Sequence, residues 1–225
     1  MQISADILLA AYRMGFFPMA NGRLSDTLYW LDPRQRGIIP LDGVHVSRRL
    51  ARTVRQGRFE VLVDGDFDAV IAACAEPRTD DNETWINDDI LRLYQELHRR
   101  GAAHSVECRL DGQLEGGLYG VSIGAAFFGE SMFSRVRDAS KVALVHLAVR
   151  LYLGGYLLLD TQFFTKHLAT FGAIEISRTD YRRRLRAAIN TNAELPCNLP
   201  EDALVQFLAS ARPKLPPEGQ QAPHP

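Results

Sequence analysis

Residues 116–162 read GGLYGVSIGAAFFGESMFSRVRDASKVALVHLAVRLYLGGYLLLDTQ, the most apolar long segment of the chain. The run to Ile123 predicts one strand, and Ala125–Phe128 a second that reaches Glu130. A loop holding Ser131, Ser134, Arg135, Arg137 and Asp138 leads to a helix over Ser140–Leu153, stopped by Gly154-Gly155. Tyr156–Asp160 then predicts a buried strand. Three polar groups break this pattern: Glu130 after four apolar residues and a glycine, Asp160 at the end of YLLLD, and Gln162 two residues on. A carboxylate in apolar surroundings is costly unless it is paired, hydrogen-bonded or neutralised. Glu130 and Asp160 are therefore either capping or ion-paired groups or parts of a site, and the pattern alone leaves both readings open.

On the N-terminal side, Ser105–Leu110, the turn Asp111-Gly112 and Gln113–Ile123 form a hairpin signal. Further back, Phe59–Val63 alternates as a strand, and Asp64–Asp68 opens a helix through Val70, Ile71 and Cys74. Pro77–Asn82 is a polar loop, and Asn87 or Asp88 caps a helix with the stripe Ile90, Leu91, Leu93, Tyr94 and Leu97. Ser4 caps a first helix, Ala5–Met14; Phe16–Met19 reads as an apolar turn, and Arg36–Pro40 as a short extended piece. On the C-terminal side come a short helix, His167–Phe171, a strand, Ala173–Ile176, and a last helix, Asp180–Ile189, capped by Thr179. Order is expected to weaken from Leu195, with PKLPPEGQQAPHP as a disordered tail. This order of elements predicts an α/β (α+β) protein with a partly antiparallel, mixed sheet. The expected division is a small N-terminal helix/loop domain over residues 1–55, a catalytic-size domain over 56–195 and an extension over 196–225.

Composition is that of a globular chain, 46% hydrophobic and 24% charged over 225 residues. A net charge of −1 offers no global pull toward nucleic acid, so any such binding needs a local patch. One candidate is the run Arg48, Arg49, Arg52, Arg55 and Arg58, which contains no acid. It is either a solvated helix face or an anion-binding surface, and the absence of a partner within the run tilts toward the second, with a phosphate backbone as ligand. Cys74, Cys108 and Cys197 are scattered and form no CxxC, which argues against a disulfide framework and a structural zinc site. No 18-residue apolar segment and no signal-like N-terminus is present, so a membrane role is not expected and the cytoplasm is.

Several motifs converge on one family. They are Ala11-Tyr-Arg-Met-Gly-Phe-Phe-Pro18, Trp30-Leu-Asp-Pro-Arg34, His45-Val-Ser-Arg48, Thr84-Trp-Ile86, Ala103-His-Ser-Val-Glu107, Gly116-Gly-Leu-Tyr-Gly-Val121, Gly129-Glu-Ser-Met-Phe-Ser-Arg135, Ala139-Ser-Lys141, Leu159-Asp-Thr-Gln162 and Leu168-Ala-Thr-Phe-Gly-Ala173. Through them the chain resembles the leucyl/phenylalanyl-tRNA–protein transferases over roughly residues 5 to 190. GESMFSR and LxDxQ are the specific signals; YRxGxFP is weaker alone.

The resemblance implies a GNAT-like acyltransferase domain behind the small N-terminal domain. It implies transfer of Leu or Phe, less readily Met, from aminoacyl-tRNA to proteins with N-terminal Arg or Lys, marking them as N-degrons. No cofactor or metal is implied, because the aminoacyl ester is already activated. The partners implied are Leu-tRNA, Phe-tRNA and the acceptor proteins, met by a monomer. Asp160, Gln162 and Glu130 fall at catalytic positions: the Asp would polarise the Gln, which draws a proton from the amine, and Glu130 would hold the cationic acceptor residue. Leu118, Phe127, Met132, Leu144, Leu147 and Leu159 fall at the aminoacyl pocket. Without the resemblance each of these six reads as plain core. The terminal adenosine would lie against Trp85 and Met19, the latter replacing an aromatic of the family, and Arg48–Arg58 would follow the acceptor stem. Ten residues precede Ala11, which implies a short N-terminal domain.

Three rivals are weighed. A CoA-dependent N-acetyltransferase needs a glycine-rich pyrophosphate loop, and Ser134–Lys141 has no glycine. A leucyl transferase for N-terminal Asp or Glu calls for a cationic acceptor site, against Glu130. A non-catalytic tRNA-binding module leaves Asp160, Gln162 and Glu130 without a purpose.

Overall fold

Apolar residues alternate along the central strands so that Phe127 and Phe128, neighbours in sequence, enter two different cores. The computed structural model describes residues 3–23, 27–77 and 84–211. In chain order the elements are α1 (Ala5–Met14), β1 (Phe17–Ala20), β2 (Leu28–Leu31), β3 (Gln35–Ile39), α2 (Arg48–Arg55), β4 (Glu60–Val63), α3 (Phe67–Cys74), α4 (Asp88–Arg99), β5 (Ala103–Leu110), β6 (Gln113–Ile123), β7 (Ala126–Ser134), α5 (Ala139–Leu153), β8 (Leu158–Gln162), α6 (Lys166–Ala169), β9 (Ile174–Ser177), α7 (Arg178–Ile189) and α8 (Ala203–Ser210). β1 and β2 form a separate antiparallel pair. The main sheet is mixed and runs β4-β5-β6-β7-β8-β3-β9, with β7 and β8 parallel and every other neighbour antiparallel. One face carries α2, α5 and α8 through residues such as Leu50, Leu144, Leu147 and Phe207. The other carries α1, α3, α4 and α7 through Leu8, Val70, Leu93 and Leu185.

Local chemistry accounts for the elements. The side chains of Ser4, Ser47 and Asn87 accept from the amides of Ile7, Leu50 and Ile90, starting three helices. Asp111 and Gly112 both take positive φ, +50° and +78°, as a two-residue hairpin turn requires. Cys74 and Cys108 are buried and Cys197 is exposed; burial pushes the Cys108 thiol up to about 12.

Several details differ from the sequence reading. β7 runs on to Ser134, so Ser131 and Ser134 lie in the strand and not in a loop, paired with Tyr119 and Gly116. Phe16–Met19 is no turn: Phe17 begins β1, and its backbone pairs with Leu31. Arg36–Pro40, inside the first 55 residues, supplies β3, an interior strand of the main sheet. The last long helix starts from Ser177, whose hydroxyl accepts from Asp180, not from Thr179. Order continues past Leu195, because α8 buries Phe207 and Leu208 against α5 and sets the Phe207 ring 5.9 Å from that of Tyr152. The proline-rich tail and most of the Pro77–Asn82 loop lie outside the described residues.

Two bulges prepare the site. Tyr119 pairs with Ser131 and Gly120 with Gly129, so Glu130 is an extra residue in β7. Gly37 pairs with Gln162 and Ile38 with Asp160, so Thr161 is an extra residue in β8. The parallel pairing of β7 with β8 ends at Phe128 and Asp160. Beyond that point the two strands part, one carrying Glu130 and the other Gln162.

Candidate active site

A cavity of about 540 Å³ opens where β7 and β8 separate. Its apolar lining includes Leu118, Met132, Leu144, Leu147, Leu159 and Leu168, together with Phe17, Pro18, Met19, Trp85 and Phe163. Glu130, Ser131, Thr161 and Gln162 bring polar atoms to it, with Thr165 and His167 also in the lining. Five of the six expected pocket residues are thus in the wall. Phe127 is the exception: it is fully buried, edge-on to Tyr156 at 6.4 Å, with its ring where a Cβ on Gly120 would stand. It precedes the point where the strands part and is still paired to Ser122 and Leu159 on both sides.

Glu130 is partly buried and is held by three donors. Tyr12 of α1 donates to Oε1 at 2.7 Å, Tyr94 of α4 to Oε2 at 2.9 Å, and the Gln162 carboxamide to Oε1 at 2.9 Å. The two tyrosine hydroxyls also meet at 2.5 Å. Burial drives the Glu130 carboxyl up to about 7, although all three hydrogen bonds act to lower it. Burial and the Glu130 charge hold both tyrosines well above their ordinary range, so they remain donors. Among the described residues no arginine, lysine or histidine forms an ion pair with Glu130.

Asp160 stands differently. It is fully buried, outside the cavity lining, and bound to Arg36, itself only 1% exposed. Arg36 Nε donates to Oδ1 at 3.0 Å and Nη2 to Oδ2 at 2.7 Å, a bidentate pairing. Tyr181 donates to Oδ2 at 2.7 Å, and the Gln162 backbone amide to Oδ1 at 2.8 Å. The Asp160 carboxylate, expected to polarise the Gln162 carboxamide, meets the Gln162 backbone amide instead. Gln162 has a left-handed backbone, φ +63°, and its carboxamide turns to Glu130 instead.

Tyr12, Tyr94, Arg36 and Tyr181 were not singled out from sequence. Tyr94 belongs to the helical stripe Ile90–Leu97, and the signal sequence offers is that a buried tyrosine needs a partner for its hydroxyl.

A sequence profile described as leucyl/phenylalanyl-tRNA protein transferase matches residues 38–186, and one for the N-terminal domain of the same proteins matches residues 1–34. The chain belongs to the leucyl/phenylalanyl-tRNA–protein transferase family. It is an aminoacyltransferase. A protein of that name from Caulobacter vibrioides is 60% identical over 188 residues, covering 84% of this chain and 87% of the relative. One from Maricaulis maris is 58% identical over 198 residues (88% and 91%), and one from Paramagnetospirillum magneticum 57% over 191 residues (85% and 91%). The two profiles separate at β3, which begins at Gln35.

Other positions that the transferase resemblance singles out are also placed. Trp85 and Met19 both line the cavity and are partly buried. Arg48, Arg49, Arg52 and Arg55 lie on α2 with exposed side chains, while Leu50, Ala51 and Val54 face inward. Arg49 has a partner outside the run: it grips Asp138, at the start of α5, with two bonds of 2.5 and 3.0 Å, and these hold the Asp138 carboxyl below its ordinary value. Arg58 lies over the Phe59 ring at 5.5 Å. Among the described residues no group of His, Cys, Asp and Glu converges to hold a metal, and no helix is long and apolar enough to cross a membrane.

Proposed function

We propose that this chain transfers Leu or Phe, less readily Met, from aminoacyl-tRNA to the α-amine of proteins beginning with Arg or Lys, and so marks them for degradation as N-degrons in the cytoplasm. The observation that carries the acceptor assignment is Glu130: a cavity carboxylate with hydrogen-bond donors but, among the described residues, no ion-pair partner. A guanidinium or ammonium from the acceptor supplies the missing charge.

In this reading the aminoacyl side chain enters the wall of Leu118, Met132, Leu144, Leu147 and Leu159, where the thioether of Met132 adapts to both donors. Phe127 acts behind that wall as packing. Trp85 stacks on the terminal adenine, with Met19 as a softer second contact, and Arg48, Arg52, Arg55 and Arg58 follow the acceptor-stem phosphates. The acceptor nitrogen bonds to the ester carbonyl carbon, the bond to the tRNA 3′ oxygen breaks, and the amine proton ends on that oxygen. The Gln162 carboxamide, oriented by Glu130, accepts from the attacking amine, and catalysis is chiefly alignment. The mixed sheet with its parting parallel pair β7 and β8 is consistent with a GNAT-like catalytic unit, to which residues before 56 contribute the interior strand β3.

The test uses purified protein, labelled Leu-tRNA and peptides that begin with Arg, Lys, Asp or Ala. Labelling of the Arg and Lys peptides is expected. Labelling of the Asp peptide without the Arg peptide overturns the acceptor assignment.

A further inference from the structure

We propose that Arg36 and Tyr181 are positioning residues of the transfer reaction, clamping Asp160 so that its carboxylate fixes the backbone of Gln162 and aims the Gln162 carboxamide across the cleft at Glu130. This rests on the site reading given above, but it gives Asp160 a different task from the one the resemblance implies.

The argument begins with the Asp160 acceptor positions. Oδ1 takes the Gln162 amide at 2.8 Å and Arg36 Nε at 3.0 Å; Oδ2 takes Arg36 Nη2 and Tyr181, both at 2.7 Å. The carboxylate is fully buried and outside the cavity lining, so a substrate amine does not reach it. Its one link toward the cavity is the Gln162 amide. Gln162 holds φ +63°, a region that non-glycine residues enter only under restraint. An extended residue at 162 would project on the Asp160 side of the strand, into the layer of Arg36 and Tyr181. With the bulge at Thr161 and the left-handed backbone, the Gln162 carboxamide donates to Glu130 at 2.9 Å and makes no bond to the Asp160 carboxylate.

Arg36 joins this strand to the facing wall. Its Nη1 donates to the Gly15 carbonyl at 3.2 Å, and its guanidinium lies 4.4 Å from the Phe17 ring centroid and 4.5 Å from that of Tyr181. Phe17 lines the cavity. One cation therefore sets the spacing between the wall that starts at Gly15 and the strand that ends at Gln162. Lysine would keep the charge and lose the fork.

Tyr181→Phe removes one donor, and Arg36→Lys removes the bidentate grip. Both are expected to lower kcat for Arg-peptide leucylation about tenfold or more, the scale of a small misalignment, while KM for Leu-tRNA stays within about twofold. Asp160→Asn keeps an oxygen for the Gln162 amide and retains clearly more turnover than Asp160→Ala. In NMR spectra the Gln162 carboxamide resonance shifts in Tyr181→Phe and Arg36→Lys, which reports its aim independently of activity. Wild-type kcat and an unmoved Gln162 resonance in both variants overturn the inference. So does an Asp160→Asn enzyme as inactive as Asp160→Ala, which would return Asp160 to the chemistry. A wild-type enzyme that leaves every Arg and Lys peptide unlabelled refutes the acceptor reading instead, and the resonance still decides the clamp.

Discussion

Glu130→Gln should make the protein more stable and the enzyme worse, and the gain in stability should depend on pH in a defined direction. Burial raises the Glu130 carboxyl from 4.5 to about 7 in the folded chain. Below pH 4.5 the folded and unfolded chains both carry it neutral, and no penalty exists. As pH rises from 4.5 to 7 the unfolded chain ionises first, so the folded state loses ground; above 7 the loss is complete. The gap converts, at ~1.36 kcal/mol per pH unit, to roughly 3 kcal/mol, or about 2 kcal/mol once the solvent in the cavity is allowed for. A carboxamide keeps the shape, can still accept from Tyr12, and has no charge to bury. Urea denaturation at pH 8 should therefore find the variant about 2 kcal/mol more stable, with its midpoint of melting raised by ~5 °C, and little difference at pH 5. The same change should raise KM for Arg-peptides, because the acceptor cation loses its partner. A stability difference that is equal at pH 5 and pH 8, or a variant less stable than wild type at pH 8, refutes the reasoning about burial.

Other outcomes follow from the same geometry. Leu144→Phe narrows the cavity wall, so kcat/KM for Phe-tRNA should fall by about tenfold more than that for Leu-tRNA, measured with both donors in one assay. Replacing Arg48, Arg52 and Arg55 with Gln should weaken tRNA binding and reduce the slope of log K against log salt by about 2–3; an unchanged slope removes α2 from the interface. Gly37→Ala sets a methyl 2.6 Å from the Phe163 carbonyl carbon and 2.7 Å from its oxygen, so the bulge must move. A loss of about 1–3 kcal/mol in urea denaturation, with weaker binding of an aminoacyl-adenosine, is the expected reading.

The sheet was readable in sequence wherever pattern and punctuation agree. Asp111-Gly112 between alternating runs, Asn87 ahead of a helical stripe and Gly154-Gly155 after one each placed an element. β1 was missed because proline and three apolar neighbours carry no alternation, and its pairing with β2 is a tertiary fact. α8 was missed because a short helix after a proline-rich stretch is stabilised by packing of Phe207 and Leu208 more than by its own signals. At the site, five of the six expected pocket residues line the cavity, and Phe127 lies behind it because sequence does not show where two strands stop pairing. Two residues apart, Asp160 and Gln162 would share one side of the strand by the rule of alternation, which holds only for an extended backbone. The bulge at Thr161 and the positive φ of Gln162 break it. Arg36 gave no signal as a site residue, since its partner lies 124 positions away.

The two carboxylates show how one cleft assigns different tasks to similar groups. Asp160 has its cation: Arg36 grips it along both oxygens, and Tyr181 and the Gln162 amide complete its bonding. A buried carboxylate so paired has nothing further to gain from a ligand, and a post of that kind is rigid. Glu130 has hydrogen bonds from two tyrosines and Gln162 and, among the described residues, no ion-pair partner, and burial raises it to about 7. In the proposed reaction an arriving guanidinium would lower that value and turn an unfavourable burial into a favourable pairing. Gln162 touches both carboxylates, one through its backbone and one through its side chain, and so passes the rigidity of the first to the second. A neutral or acidic acceptor residue would gain nothing from this arrangement, and discrimination between N-terminal residues in the proposed reaction then comes from a Glu130 that is hydrogen-bonded but, among the described residues, not ion-paired.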